Sequence, residues 1–292
     1  MNIAFYLHDE VSREAFERKL LWFKSRFNLI SANQLRDLLY DGRPLKNTCM
    51  LSVDDGWRST YDIIFPVMQK HKVPFTIFVS PEVTITETNF WTYTFQFCQE
   101  EELKRIMVQR GYFQKDVMKY PVDLMFKEIQ ISQVYDVLNE YLKHHPETKV
   151  PRGFLNHKEL IELQKSGLVE IGAHTLTHPI LKSANEEVCT KEIQESVAQL
   201  SDLLNHEVHT FAYPNGLAEI DFADREMNVA HRCGIDMAFS VNPGIIDKTT
   251  NPLSIPRWGS TARLRFGRLG QYLPSRANQA KIRKEIRIFK LI

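Results

Sequence analysis

Apolar, often β-branched runs recur along the chain, and a helix-like spacing of apolar residues follows most of them. Such runs predict buried strands, and apolar residues spaced three and four apart predict helices with one apolar face. The predicted strands are Ile3–Leu7, Thr48–Val53, Phe75–Val79, Leu168–Gly172, Val208–Tyr213, Met237–Val241 and Leu253–Pro256. Seven strands that alternate with helices predict a parallel α/β sheet, either open or closed into a barrel.

Three predicted helices begin with a polar residue that is followed three positions later by Glu or Gln. This spacing is typical of a capping box, in which each side chain binds the backbone N–H of the other residue. Gly167 marks the end of the helix that begins at Asn156, because glycine readily adopts the left-handed backbone that closes a helix. The pairs are Ser31 with Gln34, Asn156 with Glu159, and Ser183 with Glu186.

The region from Pro81 to Val150 interrupts the alternation of strands and helices. It has no strand-like run, and its apolar residues have helical spacing, most clearly in the segment 134–142. A chain of 292 residues is long enough to form one large domain with a sizeable core. We therefore predict a single domain over residues 1–292, with a helical insertion at about 81–150 after the third predicted strand.

The overall composition argues against several classes of protein. The net charge is +1, so no global field would attract nucleic acid. No apolar run approaches membrane-spanning length, and the N-terminus MNIAFYLHDE lacks the pattern of a secretory signal. No glycine-rich nucleotide-binding loop occurs. The four cysteines are scattered without a Cys-x-x-Cys pair, so we expect a reducing compartment, the cytoplasm.

The C-terminal segment from Arg263 to Ile292 is strongly basic, with nine Lys or Arg residues and one acid. Its last part, RANQAKIRKEIRIFKLI, also has helical apolar spacing. One interpretation is a solvated helix or a frayed tail. The alternative is a patch that rests on an anionic membrane surface or binds an acidic partner.

Polar residues follow the predicted strands at the points where the strands end. Because parallel strands end at the same edge of a sheet, these residues should share one rim, where reactive groups of α/β folds gather. A single one would be an ordinary polar strand end, but the set includes acids and histidines and indicates a site. In chain order they are His8 and Asp9, Asp54 and Asp55, His174, Tyr213 to Gly216, Ser240 and Asn242, and Arg257.

His174 and His178 lie four positions apart, a spacing that puts both rings on one face of a helical turn. Two such imidazoles can share a metal ion, and a catalytic zinc site typically takes a third protein ligand. The adjacent pair Asp54 and Asp55 offers that ligand. The other aspartate, kept ionised by the cation, could accept a proton from water.

Several motifs carry a resemblance to a known family. LSVDDGW at 51–57, HTLTH at 174–178 and FAYPNG at 211–216 occur in this order, and FYLHDEV opens the chain. The sequence thereby resembles the polysaccharide deacetylases of carbohydrate esterase family 4, which include chitin-oligosaccharide deacetylases. The match covers most of the chain outside about 81–150. It implies an α/β fold of a particular kind, a distorted (β/α)7 barrel.

The resemblance implies a role for each matching residue. Asp54 would be the general base, and Thr175 would brace the histidine loop. Asn215 would supply a backbone N–H to the oxyanion. Zinc suits the implied metal ligands best, and cobalt, nickel or manganese are alternatives. Those ligands would be Asp55, His174 and His178.

Two positions depart from the family's pattern. Ala212 stands where many members have an arginine that orients the base, and Arg257 stands where many have a histidine that protonates the leaving amine. His8 is our candidate for the general acid because of its place on the rim. Its alternatives are to cap a strand or to support the metal site. Arg257 would replace the missing arginine beside Asp54, bind an anionic group of the substrate, or form a surface salt bridge.

Two aromatic residues are further candidates for contact with the substrate or support of the site. Tyr213 belongs to the third motif. Trp91 opens the insertion, and an aromatic face there could stack on a sugar ring. The alternative is that Trp91 packs the insertion onto its host.

The resemblance implies metal-dependent removal of an N-acetyl group from an amino sugar of a bacterial surface polysaccharide or its precursor. Because no export signal is apparent, we expect a cytoplasmic substrate that is an oligosaccharide, lipid-linked or nucleotide-linked. The basic segment 263–292 would allow work at the inner membrane surface. Removal of another acyl group and a non-catalytic glycan-binding homologue are the alternatives.

Overall fold

The computed structural model describes residues 1–10, 12–42, 46–259, 283–284 and 286–290. The chain divides into two compact units, Met1–Thr88 with Gly153–Thr261, and Asn89–Arg152 with the described residues between Ala262 and Ile292. The helical insertion predicted at about 81–150 thus corresponds to the segment 89–152 of the second unit. Its first predicted residues form the short helix Pro81–Thr86, which belongs to the first unit.

A single sheet contains all the strands of the first unit that the structure describes. Six of the seven predicted strands are confirmed, with ends that move by one to a few residues. The strands are β1 (Ile3–Leu7), β2 (Asn28–Ile30), β3 (Thr48–Val53), β4 (Phe75–Val79), β5 (Val169–Ala173), β6 (Thr210–Ala212), β7 (Met237–Phe239) and β8 (Trp258–Gly259).

Helices separate the strands of the first unit and make up most of the second. None of those in the described ranges has both the length and the apolar character needed to cross a bilayer. They are α1 (Arg13–Lys24), α2 (Ala32–Tyr40), α3 (Phe65–His71, after a π-turn Thr60–Ile64), α4 (Pro81–Thr86), α5 (Trp91–Thr94), α6 (Glu100–Gln109), α7 (Val122–Phe126), α8 (Ile131–His144), α9 (His157–Lys165), α10 (Glu186–Leu204) and α11 (Asp224–Arg232).

The sheet is parallel in every strand pairing that the structure describes, in the order β7-β6-β5-β4-β3-β1-β8. β2 and β4 share one edge of β3: β2 pairs with its first half and β4 with its last two residues. All residues of β1, β3 and β4 are buried, as expected for parallel strands covered on both faces. Their C-terminal ends therefore form one rim.

The segment between β7 and β8 completes the curled sheet as a distorted barrel. Ile255 makes a parallel bridge to Phe239, and its N–H donates to the carbonyl of Ala238 at 2.8 Å. Three residues later, β8 pairs with Phe5 and Tyr6 of β1. The path from β7 to β1 is thus continuous through Ile255 and β8.

The predicted strand Leu253–Pro256 is wrong. Pro252–Ser254 forms a 3₁₀ turn, and the side chain of Asn251 accepts a hydrogen bond from the N–H of Leu253 at 2.9 Å. Pro252 directly before the segment and Pro256 at its end both lack the N–H that a regular strand uses for pairing. Regular pairing begins only at β8, which follows Arg257.

The sequence pattern does not reveal β2. It has three residues, Asn28 to Ile30, and only Ile30 is buried. A half-exposed strand of this length lacks both the apolar run and the alternation that identify strands. With β2 included, the insertion follows the fourth strand rather than the third.

Two of the three predicted capping boxes are confirmed, those at Ser31 and Asn156. Gly167, the second residue after α9, has φ +71°, as predicted for a residue that ends the helix. The third prediction is wrong, because α10 begins after Asn185, whose side chain accepts from the N–H of Val188 at 2.8 Å. Ser183 instead ends a 3₁₀ turn two residues earlier.

The second unit has a hydrophobic core of its own, formed by helices α5 to α8. Trp91, Met107, Met125 and Val137 are each almost fully buried in it. The buried Lys104 binds Glu100 and Glu101 of the same helix at 2.9 and 3.1 Å. The helical character predicted for this region is therefore confirmed.

The described part of the C-terminal segment packs into this core. Ile286 is completely buried, and the carbonyl of Phe289 accepts from the N–H of Gln114 at 2.9 Å. Arg283 and Arg287 both bind the buried carboxylate of Glu128. The interpretation as a frayed tail is thus wrong for residues 286–290, because Ile286 and Phe289 pack within the unit, whereas Ile288 is exposed. Contact with a membrane surface or an acidic partner stays a prediction, and residues 263–282, 285, 291 and 292 lie outside the described residues.

We predict that Ile286→Ala destabilises the second unit by about 2–5 kcal/mol, because it leaves a cavity in a closed core. Ile288→Ala is the matched control, since Ile288 is 74% exposed and loses little burial on truncation. Urea denaturation followed by circular dichroism measures both. Equal midpoints for the two variants would contradict the observed packing.

Candidate metal centre

The end of β3 separates its two carboxylates by a change of backbone conformation. The N–H of Asp54 still donates to the carbonyl of Leu7 at 3.0 Å and so continues the ladder. Asp55 and Gly56 both have positive φ, +71° and +67°. A Cβ on Gly56 would lie 2.8 Å from a methyl carbon of Val79, so the turn needs glycine there. This turn gives adjacent aspartates two different environments.

The two histidines follow β5 on an irregular loop. The N–H of His174 donates to the carbonyl of Val79 at 3.0 Å, and this bond fixes the start of the loop at the end of β4. Thr175 and His178 have φ of +64° and +62°. The predicted helical turn is therefore wrong, although the two rings still meet, with centroids 4.9 Å apart.

Three side chains from these two segments converge. Asp55 Oδ1 lies 3.3 Å from His174 Nε2 and 3.2 Å from His178 Nε2. Their potential ligand atoms all lie within 4.8 Å of one another. Tetrahedral zinc with bonds of about 2.0–2.1 Å would place its ligand atoms about 3.3–3.4 Å apart. The arrangement fits such an ion, and this is the one cluster of its kind among the described residues.

The electrostatics of the cluster suit a cation. Burial alone would raise the pKa of Asp55, but hydrogen bonds from His174 and His178 hold it well below its ordinary value. Burial lowers the pKa of His178 despite the nearby carboxylate. The cluster thus favours an ionised aspartate and a neutral imidazole, the forms that bind metal.

Backbone contacts orient His174. Its Nδ1 lies 2.7 Å from the carbonyl oxygen of Ala212 on β6, so Nδ1 carries the proton and donates it. When the ring is neutral, Nε2 therefore carries the lone pair and is the nitrogen that could bind an ion shared with Asp55. Ala212 is the position where the family's arginine is missing, and its carbonyl sets the tautomer of a metal-ligating histidine.

The histidine loop has strained backbone conformations and is held by hydrogen bonds from within the loop and from Ser80. Residues other than glycine with left-handed φ cost on the order of 1–3 kcal/mol each and are found where surroundings enforce them. The hydroxyl of Thr175 donates to the carbonyl of His174 and accepts from the N–H of His178 at 3.1 Å. Ser80 also donates to the carbonyl of His174 at 2.9 Å. Thr175 thus contacts both histidines of the loop through its hydroxyl, and its bracing role stays a prediction.

Glu192 is a contact of this loop that sequence reasoning missed. One of its carboxylate oxygens accepts from the N–H groups of Leu176 and Thr177, both at 2.9 Å, and the other accepts from the hydroxyl of Thr177 at 2.6 Å. Burial raises the pKa of Glu192 above its ordinary value, and these hydrogen bonds only partly offset that rise. Its signal in the sequence is its spacing, which puts it on the buried face of α10 with Ser196 and Leu200.

Trp57 was missed as well. Its indole N–H donates to Asp55 Oδ2 at 3.0 Å, and its ring packs against Phe154 at a centroid distance of 4.6 Å. The bond occupies the oxygen of Asp55 that does not face the histidines. Only Oδ1 of Asp55 therefore faces His174 and His178 without another hydrogen-bond donor on it. The sequence carried no separate signal for this role.

Arg257 forms a buried, bidentate ion pair with Asp54. Its two terminal nitrogens lie 2.7 and 2.8 Å from the two carboxylate oxygens. Two further donors bind other groups: Nε donates to the carbonyl of Ser240, and Nη1 also donates to the hydroxyl of Ser52. Arg257 is fully buried and lies 5.1 Å from the ring centre of Tyr6. It therefore occupies the place predicted for a substitute arginine beside Asp54 and is not a surface salt bridge.

His8 lies at the edge of the cluster. Its Nε2 is 3.9 Å from Asp55 Oδ2, and its side chain is 49% exposed. The ring stands edge-on to Tyr6 at 5.3 Å. This position gives it access both to solvent and to the neighbourhood of the ligands, as a proton donor needs.

The loop after β6 is held by partly buried polar contacts. Asn215 has φ +60°, and its side-chain amide donates to Asp221 at 2.5 Å. Asp221, another residue that sequence reasoning missed, also accepts from the N–H of Leu217 at 2.9 Å. The carbonyl of Gly216 accepts from Val241 at 2.8 Å. The side chain of Asn215 thus supports the loop, and its backbone is fixed.

Two predicted site residues do not present their rings to a site. Tyr213 is buried, stacks on Phe222 at 3.7 Å and donates its hydroxyl to the carbonyl of Leu253 at 3.0 Å. Trp91 is 1% exposed and packs edge-on against Phe126, 5.8 Å away. The expected substrate contact is corrected in both cases, because neither ring has a free face.

The chain is similar to known proteins in both sequence and structure. The polysaccharide deacetylase family model matches residues 41–238. A poly-beta-1,6-N-acetyl-D-glucosamine N-deacetylase of Staphylococcus aureus is 23% identical over 260 residues, which are 85% of this chain and 66% of that protein. The chain therefore spans just under two thirds of the length of the curated relatives that it matches.

Solved structures share the fold. The Streptococcus pyogenes deacetylase PplD in complex with acetate superposes with a TM-score of 0.61 at 17% identity, covering 90% of this chain and 92% of that one. IcaB from Ammonifex degensii gives 0.61 at 16% identity, covering 96% and 97%. The family match covers well over half of the chain and includes Asp54, Asp55 and both histidines. The chain therefore belongs to the polysaccharide deacetylase family, a family of hydrolytic deacetylases.

Proposed function

We propose that the protein is a metal-dependent N-deacetylase that acts on an N-acetylated amino sugar of a surface polysaccharide or its precursor. The observation that carries this proposal is the Asp55–His174–His178 cluster beside an aspartate held by Arg257. The relative from Staphylococcus aureus, named for its action on poly-beta-1,6-N-acetyl-D-glucosamine, supports an amino-sugar polymer as the substrate class.

Asp55, His174 and His178 would hold the ion, and zinc suits this mixed set of nitrogen and oxygen ligands best. Cobalt, nickel or manganese would also fit the donors. When bound, the ion supplies Lewis-acid chemistry, which makes water more acidic and a carbonyl carbon more electrophilic. The left-handed turn at Asp55 and the indole N–H of Trp57 present a single carboxylate oxygen for this purpose.

Asp54 is assigned as the general base. It takes the proton of the water that attacks the amide carbonyl carbon. The guanidinium of Arg257 binds both of its oxygens and fixes the carboxylate plane, so the base does not have to be ordered during the reaction. This bidentate contact supports catalysis over the non-catalytic glycan-binding alternative, because it supplies beside Asp54 the arginine that is missing at position 212. The missing histidine at position 257 is the other departure that supports that alternative.

His8 is assigned as the general acid. It donates a proton to the amide nitrogen as the C–N bond breaks, so that the sugar leaves as an amine and the acyl group as acetate. Its exposed ring can be reprotonated from solvent. The backbone N–H of Asn215, at the same rim, is assigned to the oxyanion. The same residues would serve removal of another acyl group.

The proposal includes a reducing compartment, the cytoplasm, where the substrate would be an oligosaccharide, lipid-linked or nucleotide-linked precursor. All four cysteines are free thiols. Burial raises the pKa of Cys189 to about 12 and that of Cys98 to about 11. Such thiols stay protonated and need no disulfide partner. Cell fractionation with an antibody tests the compartment.

We predict that the zinc-loaded protein releases acetate from N-acetylglucosamine oligomers. Asp54→Asn should lower kcat by about 10²–10⁴-fold, because the base is lost, while one zinc per chain is retained. Asp55→Asn should lose both zinc and activity, and it serves as the matched neighbour control. Acetate assays and elemental analysis measure the two properties. A zinc-loaded protein that releases no acetate from oligomers, nucleotide sugars or lipid-linked glycans would instead support the glycan-binding alternative.

We predict that His8→Gln affects two substrates differently. With an N-acetylated sugar, kcat should fall by about 10²–10⁴-fold, because the amine leaving group needs a proton. With 4-nitrophenyl acetate, whose phenolate leaves without a proton, kcat should change little. Asp54→Asn should slow both reactions and is the control. An equal loss on both substrates would remove His8 from the role of acid.

A further inference from the structure

The loop between the two histidines depends on one side chain from outside it. Leu176 and Thr177, its middle residues, direct their N–H groups to a single oxygen of Glu192, both at 2.9 Å. The hydroxyl of Thr177 donates to the other oxygen at 2.6 Å. Glu192 is 5% exposed, so this carboxylate is almost removed from solvent. The buried carboxylate of Glu192 therefore accepts three hydrogen bonds from the two middle residues of the loop.

The helix that carries Glu192 is a rigid base for this contact. α10 has 19 residues and begins at the capping residue Asn185. The adjacent Ile193 and, two turns further along, Leu200 are completely buried. Glu192 thus connects a packed helix to the histidine loop, in which Thr175 and His178 both have left-handed backbone conformations.

We propose that Glu192 is the positioning residue of the metal centre, holding the loop 175–177 so that both imidazoles present Nε2 to one ion. This inference rests on the proposed metal site. The left-handed residues turn two backbone N–H groups away from regular pairing, and Glu192 is their acceptor. Without it these buried donors would be unpaired, and the loop would relax to bind other acceptors. Outer partners of this kind typically govern metal affinity.

The experiment compares zinc affinity across variants by competition with a chelating dye, with unfolding temperature of the metal-free protein measured in parallel. Glu192→Ala should weaken zinc binding by about 10–100-fold. Glu192→Gln should restore most of the affinity, because its amide oxygen can accept both N–H groups and its amide nitrogen can donate to the hydroxyl of Thr177. A Gln variant as weak as the Ala variant would overturn the hydrogen-bonding account.

Ser196→Ala is the matched control. Ser196 is buried one turn further along α10, and its hydroxyl donates to the carbonyl of Ile193 within the helix at 2.8 Å. It should lower the unfolding temperature without changing zinc affinity. If both Ala variants lose the same affinity, Glu192 is merely structural and the proposal fails. Should Glu192→Ala not fold, Thr177→Ala removes one of the three bonds and must weaken zinc binding by a smaller factor.

The zinc affinities of the wild-type protein and of Glu192→Ala together distinguish failure of the positioning role from failure of the proposed metal site. Wild-type protein that binds no zinc would refute the proposed metal site. Wild-type protein that binds zinc while Glu192→Ala binds it equally well would refute the positioning role alone, and the deacetylase proposal would stand.

Discussion

The parallel pairing of β3, β4 and β5 is the constraint on which the site depends. Because neighbouring parallel strands end at the same edge, residues some 120 positions apart in the sequence meet there without any local motif to join them. The carbonyl of Val79 at the end of β4 accepts from the N–H of His174 and so fixes where the histidine loop begins along the sheet edge. The ligand cluster is thus a property of strand register more than of any single segment.

Adjacent carboxylates of like charge are tolerated because each has its own positive or donating partners. Asp54 faces the guanidinium of Arg257, and Asp55 faces two imidazoles and an indole N–H. Like charges so close together would otherwise favour protonation of one of them. The left-handed turn at Asp55 separates the two environments. The same turn therefore allows adjacent aspartates to have the two different roles that the proposed mechanism requires, a general base and a metal ligand.

The sequence predicted six of the strands, though not their exact ends, and the helical nature of the insertion, because these depend on apolar runs and local spacing. The spacing of the two histidines suggested a metal site, and the family resemblance assigned Asp55 rather than Asp54 to it. It did not predict what long-range packing decides. Glu192 looks like an ordinary helix residue until α10 is placed beside the histidine loop. Trp91 looks like a sugar platform until its burial in the core of the second unit is known. Tyr213 looks like a candidate for substrate contact until its stacking on Phe222 is known. The place of Arg257 beside Asp54 was one of three options, and only the closure of the sheet through Ile255 selects it.

The convergence of Asp55, His174 and His178 on one ion is the central claim, and a crystal soaked with zinc tests it most directly. Anomalous diffraction at the zinc edge should give a single strong peak about 2.0–2.2 Å from Asp55 Oδ1 and from both histidine Nε2 atoms. Asp54 should remain bound to Arg257 and outside the coordination sphere. An absent peak at saturating zinc, or an Asp55 carboxylate turned away from both imidazoles, would contradict the account.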